Sequence, residues 1–510
     1  MIGLRVACHP VRLPPTLQFL VITGATAVLA FGLALVLPLE PLGAFGRPVV
    51  AAAVIGALFA LRPVDGLVAF GMAVLLAESV AYWSGADLRY FDEASLTLLV
   101  GLALTIHRRQ LTISRPGWRA AAAGALVVAG ILSSLVNGVP PSIWIIGGAL
   151  LTKGFVFFYL VTSLRVDAND IGRVMGAGLT IGLALMAIGL VEFAAPDIAT
   201  SLGVPPYLEQ RGSVQVVTSL FTSPSLYGWL MVFLSLFLFA HFAVLRQPWS
   251  LALAILLGGA SVLSGRRTPI IAWAAGIGLG AFHQSRWHGA SGRVWLLIAA
   301  GVLAVALLSL PLVGSFYRQT IEDYFGTAGA VGEIFAEDPD SKVIRPLHPR
   351  VALYAGSLAV ARDELPLGAG IGRYGSHTSR EVYSPVYARY GLERVYGLRE
   401  RRPIAITDTF WPMVLGETGA AGAVAALAFF GLLGRDLWRA AAPVGTATVR
   451  IFTLGALLVY VEALVRSTTS AVFVAPPIAY WVFGAAGLSL ALRRATEASA
   501  TGAADPPPAR

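Results

Sequence analysis

Apolar runs of about 20 residues recur along this 510-residue chain, and that is the length a helix needs to cross hydrocarbon. Lipid offers no partner for a bare backbone group, so each run must close its own hydrogen bonds as a helix. A membrane β-barrel does not fit, because its strands would be short alternating segments. Only 13% of residues are charged and 56% are hydrophobic, whereas a soluble domain is nearer a quarter charged. The expected fold is therefore an all-α polytopic transmembrane bundle.

Fourteen candidate spans can be marked: 17–37, 49–61, 66–83, 96–106, 118–136, 143–163, 171–193, 223–245, 249–264, 269–282, 294–313, 410–433, 450–465 and 472–491. Three of these (49–61, 96–106 and 269–282) are short enough to be tilted, re-entrant or mis-bounded, so 12 to 14 spans are expected. The first run is too long for a signal-peptide core and lacks a small-residue cleavage site, so it reads as a retained helix. Cys8 is the single cysteine, which excludes an intramolecular disulfide. The tail from 493 to 510, rich in Ala, Pro and Thr, reads as disordered.

Orientation follows from Lys and Arg in the short joints. With the N-terminus in the cytoplasm, the inner segments hold 18 arginines and the short outer segments six. Both termini are then cytoplasmic, and the one long polar segment, 315–408, lies outside. The formal charge of +9 follows from this asymmetry and need not signal nucleic acid. The long segment holds 12 Lys/Arg and 12 Asp/Glu, and it is too large for an idle connector. Its acids gather at 322–340 and its bases at 342–402. Apolar residues from Arg350 to Arg362 recur at helical spacing, so a helix lying near the membrane surface is expected there. The chain thus divides into N-terminal helices (1–210), helices with outer arginine motifs (211–314), the large loop (315–408), C-terminal helices (409–492) and the tail.

Several residues stand out for chemistry. Arg211 and the adjacent Arg266 and Arg267 lie where outer charges are otherwise scarce. They can snorkel to lipid phosphates or form a guanidinium cluster for a phosphorylated ligand. Lys153 reads as the one ionisable residue well inside a span, which is a functional hypothesis by default; the bland alternative pairs it with a neighbour such as Glu192. Pro366 to Gly372 contains Gly-x-Gly-x-Gly. With no Walker lysine and no strand before a helix, a tight turn with close backbone packing fits better than a nucleotide loop. Asp408 is either an N-cap for the next helix or a general base. Glu417 follows nine residues later, and His348 and His377 are the loop's two histidines. No metal-ligand spacing appears.

Residues 211 to 492 resemble the O-antigen ligase and O-antigen polymerase superfamily of bacterial inner-membrane proteins. The resemblance rests on Arg211-Gly212 with Phe221-Thr222-Ser223-Pro224-Ser225, on Ser264-Gly265-Arg266-Arg267, on Arg350 with Pro366-Leu367-Gly368-Ala369-Gly370, and on Asp408-Thr409 followed by Glu417-Thr418-Gly419. Serines stand where the family usually has asparagines, and Asp408 stands where it has histidine. The resemblance implies transfer of a glycan from a polyprenyl-diphosphate carrier to an acceptor hydroxyl, without metal, nucleotide or other cofactor. Arg211, Arg266, Arg267 and Arg350 would hold the diphosphate, and Asp408 would take the acceptor proton. His348, Lys153 and Glu417 are secondary candidates. Implied partners are the lipid-linked glycan, the bilayer and other polysaccharide assembly proteins. Replacement of the histidine tilts the expectation toward repeat-unit polymerisation over ligation to lipid A core or protein. A non-enzymatic transporter or flippase is the remaining alternative; the missing internal repeat and the single large outer loop weigh against it.

Overall fold

The computed structural model describes residues 22–33 (less 24 and 27), 46–108, 111–112, 117–201, 204, 210–211, 214–288 and 348–500. Cys8, the expected span 294–313, the acids of 322–340 and most of the first span lie outside them. The described chain is mostly helical. Its helices are α1 (Gly46–Leu61), α2 (Pro63–Ser84), α3 (Phe91–Thr105), α4 (Trp118–Val136), α5 (Pro141–Ser163), α6 (Ala168–Ala194), α7 (Pro196–Ser201), α8 (Pro224–Leu245), α9 (Pro248–Ala260) and α10 (Arg267–His288). After the large loop begins come α11 (Pro349–Asp363), α12 (His377–Glu381), α13 (Val386–Arg389), α14 (Phe410–Ala440), α15 (Ala447–Arg466) and α16 (Ile478–Ala500). A two-residue hairpin, β1 (Gln210–Arg211) with β2 (Val214–Gln215), is the exception to an all-helical reading.

Seven of the described helices, α2, α4, α5, α6, α8, α14 and α15, are long and apolar enough to cross a membrane. The protein is therefore a multi-pass membrane protein. Local signals set the helix ends. Proline opens α2, α5, α8 and α9, where its missing N–H has no helical partner to lose. Asp167 and Asp170 form a capping box ahead of α6. The last helix carries on to Ala500, past the expected start of the tail at 493, because its Ala-rich composition favours helix.

Two apolar cores result. The larger joins the long helices around rings such as Phe155, Phe429, Phe430, Phe473 and Phe483. The smaller lies within the large loop and includes Leu353, Val360, Tyr374, Tyr387, Leu392, Leu398 and Ile406. The loop is thus folded from residue 348 onward, and the helix expected at 350–362 is α11.

The glycine-rich stretch is where the loop meets the helices. α14 is broken at Gly419, which has φ 65° and ψ −165°, a backbone conformation nearly confined to glycine. Pro366 to Gly370 packs into the break: the amides of Ala369 and Gly370 donate to the carbonyls of Gly416 and Glu417 at 2.8 and 3.0 Å, and Ala421 donates to Pro366. On α4, Ser133 and Asn137 donate to the Gly368 carbonyl at 2.7 and 2.8 Å. Irregular backbone among membrane helices is tolerated only where protein satisfies it in this way. Close backbone packing is thus what these glycines serve. A Cβ at Gly419 would sit 2.3 Å from the Gly368 nitrogen. Gly419→Ala is expected to lower stability by ~3–5 kcal/mol through strain plus overpacking. Gly431→Ala on the same helix, with nothing within 4 Å, is the control. Thermal unfolding in detergent compares them.

Candidate functional site

The four sequence blocks meet around the last turn of α15. Val217, just past the hairpin, donates its amide to the carbonyl of Leu263 at 2.9 Å. Gly228 of α8 lies against Ser264 and Pro269, so close that a Cβ there would fall 2.5 Å from the serine Oγ. The Arg211 and Arg266 blocks are therefore neighbours. In the first turn of α10, Thr268 bonds Thr469, after α15, at 3.1 Å. Tyr354 of α11 donates to the Thr468 carbonyl at 2.9 Å. Trp411 of α14 donates to the Ser467 hydroxyl at 2.8 Å. Residues 467–469 thus tie together the helix starts that carry the arginines and Asp408.

Arg350 and Asp408 are in direct contact, Nη2 to Oδ2 at 3.1 Å. Arg350 lies in the first turn of α11, after His348 and Pro349. A cation there is opposed by the helix dipole, and Asp408 supplies the countercharge. Their side chains are 30% and 37% exposed, so the pair contributes only about 0–1 kcal/mol. It can open for an incoming anion without harm to the fold. Burial raises the pKa of Asp408 above the ordinary 3.8, and the Arg350 contact and the nearby charge of Arg266 partly offset that rise. Arg266 is thereby placed within electrostatic reach of Asp408. Arg267 opens α10 beside it. Arg211 stands in β1 opposite Val214; its side chain lies outside the described residues.

The remaining candidates have other work. Asp408 does not cap α14, because the N-cap position is Thr409 and no side chain bonds there. His348 caps α11: its Nδ1 accepts from the Arg350 amide at 3.3 Å, so that nitrogen is occupied. The Glu417 carboxylate is buried and accepts from the Ser376 hydroxyl and the amides of Gly372, Arg373 and Tyr374. The nest of amides that a glycine loop can offer to phosphate is therefore filled by a carboxylate of the chain itself. Glu417 anchors the loop and does not face the Arg350–Asp408 pair.

Lys153 does not pair with Glu192. Its Nζ lies 2.7 Å from both Asp92 Oδ2 and Glu93 Oε1, at the start of α3. Glu192 instead accepts the amides of Thr218 and Ser219 at 3.0 and 2.6 Å, fixing the segment after the hairpin. Nor is Lys153 alone among buried charges in the helices. Glu462 and Arg466 of α15 form a pair at 2.9 Å with side chains 0% and 3% exposed. That pair lies one turn from the 467–469 junction, and i, i+4 spacing was the signal that could have found it. Among the described residues no group of His, Cys, Asp and Glu is arranged to hold a metal ion.

No family model matches the chain, and no curated protein matches it.

Proposed function

We propose that this chain is a glycosyltransferase-type membrane enzyme. It moves a glycan from a polyprenyl-diphosphate carrier to an acceptor sugar hydroxyl, extending a polysaccharide by repeat units. The observation that carries this reading is the Arg350–Asp408 contact, with Arg266 in electrostatic reach. It puts anion-binding guanidinium groups beside one carboxylate whose proton affinity burial has raised.

In this reading the acceptor hydroxyl attacks the anomeric carbon. The bond from that carbon to the diphosphate oxygen breaks as the new glycosidic bond forms. Asp408 receives the hydroxyl proton. The electron pair of the broken bond stays on the diphosphate, where Arg350, Arg266 and Arg267 stabilise its charge, joined by Arg211 from the neighbouring hairpin. The diphosphate displaces Asp408 from Arg350 on binding, which frees the carboxylate to act. The site belongs on the periplasmic side of a bacterial inner membrane, with both termini cytoplasmic and 12 to 14 spans. The resemblance of the four blocks and the arginine asymmetry support that placement.

A test uses purified protein in lipid nanodiscs with a polyprenyl-diphosphate repeat unit. A ladder of extended glycans is expected. Arg350→Ala and Arg266→Ala should each lower its rate by about 10²–10³-fold, the scale of losing one charge-stabilising donor. Transfer of finished polymer to lipid A core without extension makes the protein a ligase. No new glycosidic bond at all overturns the reading and favours a transporter.

The pH dependence has a definite sign. Asp408 acts as base only when ionised, and its folded pKa lies above 3.8. The rate should fall as pH drops through that raised value, so the acid limb of kcat/KM lies above pH 3.8. The same shift makes Asp408 stabilising below its unfolded pKa. That contribution is lost as pH rises through the folded one.

A further inference from the structure

The cluster around Lys153 lies in the helix bundle, away from the proposed transfer chemistry. It holds one ammonium and two carboxylates. The Lys153 and Asp92 side chains are 6% and 10% exposed and Glu93 28%. Tyr480 of α16 donates its hydroxyl to Asp92 at 2.9 Å. If both acids were ionised the cluster would carry a net negative charge, in surroundings where an uncompensated ion is costly.

Among the described residues, nearby groups do not supply the missing positive charge. Arg89, in the turn before α3, is taken by Asp87 at 2.7 Å. On α2, Asp65 lies near Arg62 and Arg173, and Glu78 accepts from Thr222. His377 of α12 stands close enough to feel the Lys153 charge. Burial and then Arg380 lower its pKa below the usual 6.5, which disfavours a second cation there. The dipole at the N-terminus of α3 favours anions, yet its partial charge is short of a full counterion. Two details of geometry point the same way. A single ammonium is shared, with Nζ 2.7 Å from Asp92 Oδ2 and 2.7 Å from Glu93 Oε1, so it can balance only one of the two carboxylates. Glu93 Oε2 is buried and receives no hydrogen bond, a poor setting for a charged oxygen.

We propose that Asp92 and Glu93 share one exchangeable proton against Lys153, making this cluster a proton-binding site of the helix bundle. One ionised carboxylate then balances one ammonium, and the other acid is neutral. Glu93, the least enclosed of the three, is the member through which the proton exchanges. The site takes up a proton as pH falls and releases it as pH rises, so the charge among α3, α5 and α16 changes by one. The inference does not depend on the glycan-transfer reading.

Infrared difference spectroscopy of the full chain in nanodiscs tests it. The wild-type spectrum should contain a protonated-carboxyl band that shifts in D2O, and the wild type minus Glu93→Gln difference should show one carboxyl equivalent lost. Asp92→Asn should lose the same equivalent, because either change leaves one acid for one ammonium. Size-exclusion profiles check that both variants are folded. Titration of the wild type should bleach the band with rising pH. A band unchanged in both variants overturns the proposal. So does a wild-type band that vanishes at constant pH when sodium or potassium is added, which would make the site one for a metal cation.

Discussion

Asp408→Asn is expected to lower glycan transfer by about 10²–10⁴-fold, the usual contribution of a positioned proton acceptor. The amide keeps the shape of the side chain and can still accept from Arg350, but it cannot take a proton from the acceptor hydroxyl. The variant should fold. No side chain caps α14, and the half-exposed contact with Arg350 contributes at most about 1 kcal/mol. The measurement is kcat/KM on the lipid-linked glycan beside the thermal midpoint in the same detergent. A normal rate would reduce Asp408 to a countercharge for Arg350. A collapse of the midpoint would mean that the residue serves the fold.

Glu417→Ala is expected to behave in the opposite way, with fold and activity lost together. Glu417 is 2% exposed, and removing its carboxylate strands the Tyr374 amide and takes an acceptor from the Gly372 amide and the Ser376 hydroxyl, while the Arg373 amide keeps the Gly370 carbonyl. Each orphaned donor costs about 1–3 kcal/mol. Relaxation and water entry offset part of the sum, so a loss of ~3–5 kcal/mol is expected. Glu417→Gln keeps an acceptor oxygen and should recover part of it. Limited proteolysis of the loop at 366–381, read beside the thermal midpoint, reports the loss directly. If Glu417→Ala kept its midpoint and lost only turnover, the carboxylate would belong to the chemistry.

These two residues show what the sequence made legible. Run length and hydropathy located α4, α5, α6, α8 and α15 to within a few residues, because a membrane helix is selected by a property of the local chain. The helix at 350–362 was readable from its spacing for the same reason. Partners were not. Lys153 meets carboxylates some 60 residues earlier in the chain, and Tyr480 joins them from the last helix; no local period encodes that meeting. Pairing with a neighbour was one of the readings open for Lys153, but its partners are Asp92 and Glu93 and not Glu192. Asp408 looked like a cap because it precedes an apolar run, yet the helix begins one residue later than a cap at 408 requires. Order along the chain and resemblance brought Arg350 and Asp408 under suspicion together. Their 3.1 Å contact required the fold.

The seat of the glycine loop on α14 also fixes an order of events during synthesis. The ribosome delivers α4 first, then residues 366–375, and only afterwards the stretch that contains Glu417 and Gly419. Until α14 emerges, the amides of Ala369, Gly370 and Tyr374 lack the partners that α14 supplies. The loop can therefore lock only after the later helix is in place, and a chain stopped before residue 410 would hold a loop with nowhere to close. Completion of the site around Arg350 is in this sense timed by the length of chain already made.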